Sequence, residues 1–270
     1  VVVLGDMNDF QFTPTLETLK GEELTNMVDT LPENEQYTYN YQGNMQVLDH
    51  ILVSNHLAEA AKVDILNINS LYMEEHGRAS DHDPLLVELD IAVEEENEGP
   101  FSMSILHTND THAHLENVPR LFTAVNQLRD EKENTLLVDA GDVFSGTLFF
   151  NMYLGQADLQ FMNRLGYDAM TFGNHEFDKD SQVLADFVSN ADFPFVSANV
   201  NVENDEILSQ LKVNEFGYPG ENGKIYPAII KEVDGEKVAL FGLTTEDTSF
   251  LANPDEAIVF EDAVEMASNT

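Results

Sequence analysis

Cysteine is absent from the 270 residues. That excludes disulfides and thiolate sites, and it is compatible with any compartment. Basic residues are scarce: 12 Lys and Arg face 50 Asp and Glu, for a formal net charge of −38. The imbalance is spread along the chain, with 21 acids and 3 bases in residues 1–100 and 29 acids and 9 bases after them. No basic patch is available to dock a phosphate backbone, so a nucleic-acid-coating protein and stable nucleic-acid binding are excluded. An acidic tail is excluded too. Such even acidity reads as a solvated surface suited to salty surroundings. No apolar run approaches the roughly 18 residues of a membrane span.

What is present is enough to fold. Apolar residues make up 43%, which argues for a packed core rather than disorder, and the length suggests about two domains. The chain opens without Met on the apolar run Val1-Val2-Val3-Leu4 and closes in a helical pattern from Glu261 to Thr270. It is expected to be a segment of something longer, with any targeting signal outside it. Strands are expected at 37–41, 47–53, 62–69 and 85–91, with a short helix from Pro14 to Lys20. The run Glu94-Glu95-Glu96-Asn97-Glu98-Gly99-Pro100 reads as a linker near a domain boundary. Beyond it, strands at 103–107, 135–138, 169–172 and 194–198 alternate with helices at 118–132, 148–165 and 180–190. Asp234-Gly235 sits between 226–233 and 237–243 as a hairpin turn. This alternation predicts a layered α/β domain.

Three polar loops follow apolar strands, the place where α/β folds usually carry their sites. They hold Asp110-Thr111-His112, Gly141-Asp142 and Gly173-Asn174-His175-Glu176. Carboxylate, imidazole and amide oxygen together suit Mn²⁺, Zn²⁺ or Fe, with Mg²⁺ or Ca²⁺ also open. At a strand end the D-x-H spacing puts both side chains on one side. His107 and His114 read as strand-end and loop histidines, and Gly146 as the residue permitting the turn after Asp142.

These stretches, Ile105 to His112, Asp139 to Asp142 and Thr171 to Asp178, resemble the calcineurin-like metallophosphoesterases of the bacterial 5′-nucleotidase branch. The resemblance covers about residues 102–270. It implies a partial four-layer αββα sandwich with two divalent ions. Asp110 and His112 would bind the first, Asp142 would bridge both, and Asn174 would bind the second. His175 would contact the phosphate and leaving group, oriented by Asp178. The pattern also implies three further histidine ligands downstream, and none of the 95 residues after His175 is His. The chain alone is therefore expected to be an impaired catalyst.

The first part holds Gly5-Asp6-Met7-Asn8, Asp49-His50-Ile51-Leu52 and Ser80-Asp81-His82. Any one of these reads as turn chemistry. Together they resemble the C-terminal half of the endonuclease/exonuclease/phosphatase superfamily. That implies a partial αββα-type nuclease sandwich over residues 1–92, joined by an acidic linker at 93–101. Asp6 and Asn8 would orient nucleophile and phosphate. His82 would lie near the scissile phosphate, with Asp81 at an Mg or Mn ion or orienting the histidine. His50 departs from the aromatic residue usual there, and its role is open.

The expected function is thus part of an extracellular, cell-wall or periplasmic nuclease/5′-nucleotidase acting on nucleic acids and nucleotides. A 2′,3′-cyclic-nucleotide phosphodiesterase or UDP-sugar hydrolase would use the same metal loops. A catalytically silent binding module would have lost ligands, which this chain retains.

Overall fold

The computed structural model describes residues 1–73, 77–91 and 101–270. Most of the linker expected at 93–101 lies outside them. The chain divides into two compact units, one of Val1–Asn109 with Glu116–Leu137 and one of Asp110–Leu115 with Val138–Thr270.

The first unit begins with β1 (Val2–Asp6) and α1 (Pro14–Lys20). Thr13 caps that helix by accepting from the Leu16 amide, and Pro14 supplies a preset φ at its first turn. Then come β2 (Leu24–Asn26), β3 (Tyr39–Tyr41), β4 (Asn44–Gln46), β5 (Asp49–Ser54) and α2 (Asn55–Ala58). They are followed by β6 (Lys62–Ile65), β7 (Leu85–Ile91), β8 (Phe101–Thr108) and α3 (Val118–Glu131). One antiparallel sheet has the order β1-β5-β2, β3 and β4 form a hairpin, and β6-β7-β8 pair antiparallel. β5 is buried along its whole length, including the polar Asp49, His50 and Ser54 that flank its apolar Ile51-Leu52-Val53. The expected strand at 62–69 stops at Ile65, where Asn67 and Asn69 turn to hydrogen-bond Asp83 and the His82 carbonyl instead.

Strand β9 (Thr135–Asp139) runs from the first unit into the second. The second unit continues with α4 (Leu148–Tyr153), α5 (Gln156–Leu165), β10 (Ala169–Met170), α6 (Ser181–Ser189) and β11 (Phe195–Val196). β12 (Val200–Asn201), β13 (Ile225–Tyr226), β14 (Ala228–Val233) and β15 (Glu236–Phe241) follow. α7 (Thr248–Leu251), β16 (Val259–Phe260) and α8 (Ala263–Asn269) complete it. β9, β10, β11 and β13 lie side by side in parallel, and β14-β15 form the expected hairpin. The helical stretch expected over 148–165 is two helices, because Leu154 and Gly155 both adopt positive φ and end the first.

The core of this unit is aromatic. Phe144, Phe150, Phe172, Phe177, Phe187, Phe193 and Phe195 are all fully buried. Phe187 meets Phe144 edge-on, and Phe195 stacks on Phe172. Phe144, Phe172 and Phe177 are immediate neighbours of the polar loops in sequence. The packing that stabilises the unit therefore also anchors those loops at the C-terminal ends of the parallel strands. Among the described residues, no helix is long and apolar enough to cross a membrane. The fold is mixed α/β.

Candidate active site

The second unit brings the three polar loops together. The loop after β8 is stitched to the loop after β9 by backbone bonds. The Asp110, His112 and Ala113 amides donate to the carbonyls of Gly141, Asp142 and Val143 at 3.0, 3.2 and 3.1 Å. Asp110, His112, Ala113 and Asp142 all have positive φ, between 43° and 60°. Each such residue costs on the order of 1–3 kcal/mol and persists only where its surroundings hold it, which is typical of functional loops. The third loop, after β10, is pinned to the second where the His175 amide donates to Asp142 Oδ1 at 2.8 Å.

His112, Asp142 and His175 place ligand atoms within 4.8 Å of one another. His112 Nδ1 lies 3.0 Å from the Phe144 carbonyl, so that nitrogen carries a proton and Nε2 is turned toward Asp110 Oδ1 at 3.4 Å. Burial works against a charged His112, but the Asp110 carboxylate, the Phe144 carbonyl and the Asp142 charge together outweigh it and raise its pKa to about 9. Burial, followed by the charges of Glu176 and Asp110, raises Asp142 to about 7. Asp110, Asp142 and Glu176 gather carboxylates beside two imidazoles, and a divalent cation neutralises such a cluster. The donor set therefore fits a metal centre. Asn174 opens the third loop's 3₁₀ turn without using its side chain as a cap. His175 Nδ1 donates to Asp178 Oδ2 at 2.7 Å, and the Ser145 hydroxyl donates to that same oxygen.

Sequence reasoning gave no role to Glu176 or Ser145. Glu176 is fully buried and accepts four backbone N–H bonds from the second and third loops. Burial raises its pKa, against the pull of those amides. Its sequence signal was its place at the end of the third polar loop, beside the core residue Phe177. His107 is buried with neither ring nitrogen partnered among the described residues, consistent with an internal strand-end histidine.

A second cluster lies in the first unit. Asp6 and Asp49 are directly opposite across the β1-β5 pair, and with His82 they bring ligand atoms within 4.8 Å of one another. Like charges facing each other across strands are unfavourable unless something bridges them. His82 Nδ1 sits 2.7 Å from Asp49 Oδ2, and the Asn109 amide donates to Asp49 Oδ1 at 2.7 Å. The carboxylate that orients His82 is thus Asp49, not its sequence neighbour Asp81, which is half-buried. Adjacent residues in an extended segment point apart, whereas Asp49 comes from the start of β5, 33 residues away in the chain. Asn8 takes φ 46°, and its amide donates to Asp6 Oδ1 at 2.7 Å.

His50 also finds its place here. The Asn26 amide oxygen accepts from the Val28 N–H, so its nitrogen donates to His50 Nδ1 at 3.0 Å. The proton is then on Nε2, which donates to the Asp9 carbonyl at 2.9 Å. Burial holds this imidazole below its ordinary pKa. It is a neutral strut that anchors the loop following Asp6.

Residues 103–260 match the family model of the calcineurin-like phosphoesterases. The chain is 48% identical over 191 residues to the trifunctional nucleotide phosphoesterase protein YfkN of Bacillus subtilis, covering 64% of this chain and 13% of that protein. It is 40% identical over 182 residues to the 5′-nucleotidase of Rattus norvegicus, covering 61% and 30%. Among solved structures, the 5′-nucleotidase precursor of Thermus thermophilus superposes with a TM-score of 0.56 at 40% identity, covering 63% of this chain and 34% of that one. The chain thus spans about a third or less of the length of these relatives. The matched span contains all three loops, and on that ground the chain belongs to the calcineurin-like phosphoesterases, a family of metal-dependent phosphoric ester hydrolases.

Proposed function

We propose that the second unit hydrolyses the phosphoester of nucleotides in the manner of a 5′-nucleotidase. The observation that carries this is the convergence of His112, Asp142 and His175 within 4.8 Å. Asp110 and His112 would hold one divalent ion, Asp142 would bridge to a second, and Asn174 would ligate the second. When bound, such a pair supplies Lewis acidity at the phosphoryl oxygens and activates water near neutral pH. The remaining work falls to the chain itself. Asp178 accepts a hydrogen bond from His175 Nδ1–H and fixes the ring, leaving Nε2 to stabilise or protonate the departing oxygen. Water is consumed, the ester P–O bond breaks, and the proton ends on the alcohol. Identity of 48% to a trifunctional nucleotide phosphoesterase supports a range of nucleotide phosphoesters.

The cluster in the first unit supports a second reading. We infer that residues 1–92 are the C-terminal half of an endonuclease/exonuclease/phosphatase-like domain, followed by a linker at 93–101 and the phosphoesterase from 102. His82, held by Asp49, would face the scissile phosphate, with Asp6 and Asn8 orienting it beside an Mg or Mn ion. A nuclease would release nucleotides and a nucleotidase would remove their phosphate. The same reading has the protein scavenging outside the cytoplasm, where it cannot drain the cell's own nucleotides. Its acidic surface would repel such substrates, so bound cations and salt screening must permit approach.

The test is direct. In the full-length parent protein, Asp142→Ala and Asn174→Ala should each abolish phosphate release from a nucleoside 5′-monophosphate with Mn²⁺, because even residues behind the ligands typically contribute about 10–100-fold. Near-wild-type turnover by both variants ends the assignment.

A further inference from the structure

Glu176 takes no part in the chemistry above, yet it is fully buried at the centre of the loops. Its Oε1 accepts from the amides of Val143 and Phe144 at 2.8 and 3.2 Å. Its Oε2 accepts from Asp142 and Gly173 at 2.9 and 2.8 Å. A carboxylate is acceptor-only, with about four lone-pair sites, and all are used. Three of the donors belong to the loop after β9 and one to the loop after β10. Glu176 itself belongs to the loop after β10, so both oxygens join the two loops, and Oε2 binds the Asp142 backbone on one side and the residue before Asn174 on the other.

We propose that Glu176 is the positioning residue that sets the spacing of Asp142 and Asn174, and with it the site's capacity to hold metal. The spacing is tight. A Cβ on Gly173 would fall on the Asp142 carboxylate, so the loops have no slack to take up a shift. Asp205 provides the contrast. It too is buried, but the two backbone amides it accepts, those of Ile207 and Leu208, belong to one turn, and its other oxygen accepts the Ser181 hydroxyl at the start of α6. Asp205 therefore ties a turn to a helix that bears no ligand, whereas Glu176 holds two ligand-bearing loops in register.

The inference rests on reading Asp142 and Asn174 as ligands, and the experiment separates the two. Mn²⁺ binding by the intact 270-residue chain is measured calorimetrically for wild type, Glu176→Gln and Asp205→Asn. Whichever way glutamine turns, its NH₂ faces two backbone N–H groups, so one side of the clamp opens. Glu176→Gln should bind Mn²⁺ about 10–100-fold more weakly. Asp205→Asn should lower the thermal midpoint yet keep its affinity within about two-fold, because its partners Ser181, Ile207 and Leu208 lie outside the ligand-bearing loops. Wild-type affinity in Glu176→Gln overturns the proposal. Equal weakening in both variants also overturns it, since that is general loosening. A wild type that takes up no Mn²⁺ overturns the ligand reading itself and this proposal with it. Should Glu176→Gln not fold, hydrogen exchange of the wild type decides. The amides of Asp142, Val143, Phe144 and Gly173 should open as one unit with a shared protection factor, and independent exchange overturns the proposal.

Discussion

Asp158 shows how one carboxyl can shape the stability of the chain. It sits in the first turn of α5, 6% exposed, with Oδ2 unpartnered among the described residues. Burial raises its pKa from the ordinary 3.8 to about 7. Between those values the unfolded chain has released the proton and the native one has kept it. Stability must then fall as pH rises through that window and level off above it. At about 1.36 kcal/mol per pH unit the full effect is roughly 4 kcal/mol. Asp158→Asn removes it, so denaturant unfolding from pH 4 to 7 should show wild type losing stability relative to the variant. Parallel pH profiles would contradict this. Residues at this scale were legible where they repeat a known pattern, as with Asp110, His112, Asp142 and His175. The partner of His82 was not. Asp49 lies 33 residues away, and only the tertiary fold brings it near.

At the scale of elements, the loops matter more than the strands that carry them. The loops after β9 and β10 pass so closely that a Cβ on Gly141 would overlap the Gly173 amide nitrogen, and one on Gly173 the Asp142 carboxylate. Gly173→Ala is therefore expected to abolish Mn²⁺ binding and, in the full-length parent, phosphatase activity. The β14-β15 turn is the control. Gly235 has φ 87° but open space where its Cβ would be. Gly235→Ala should lose about 1–2 kcal/mol from backbone strain alone and keep its activity. Calorimetric titration with Mn²⁺ and urea unfolding check the pair. That hairpin was readable because Asp-Gly supplies two positive φ values locally. β2 and β4 were not, since three residues carry too little periodicity. The break at Leu154 and Gly155 was missed because the apolar pattern runs on through it.

For the whole molecule, the governing quantity is the net charge of −38. Lys132–Glu88, Lys212–Glu203 and Lys231–Asp168 are paired, but so few cations leave most carboxylates to repel one another. The Debye length falls from about 10 Å at 0.1 M to about 3 Å at 1 M salt. The thermal midpoint should therefore rise between low and molar KCl. An unchanged midpoint would mean that the charges are already neutralised within the fold.

The sequence by itself determined the family-bearing loops, the alternating α/β pattern and the acid excess. These depend on residues adjacent in the chain or on simple composition. Only the tertiary structure decided which carboxylate serves which histidine, and that Glu176 ties two loops through four amides. It also decided that His50 is a strut and not a reactive group. Each of these is a hydrogen bond between segments distant in sequence, and register and burial, not local spacing, choose the partner.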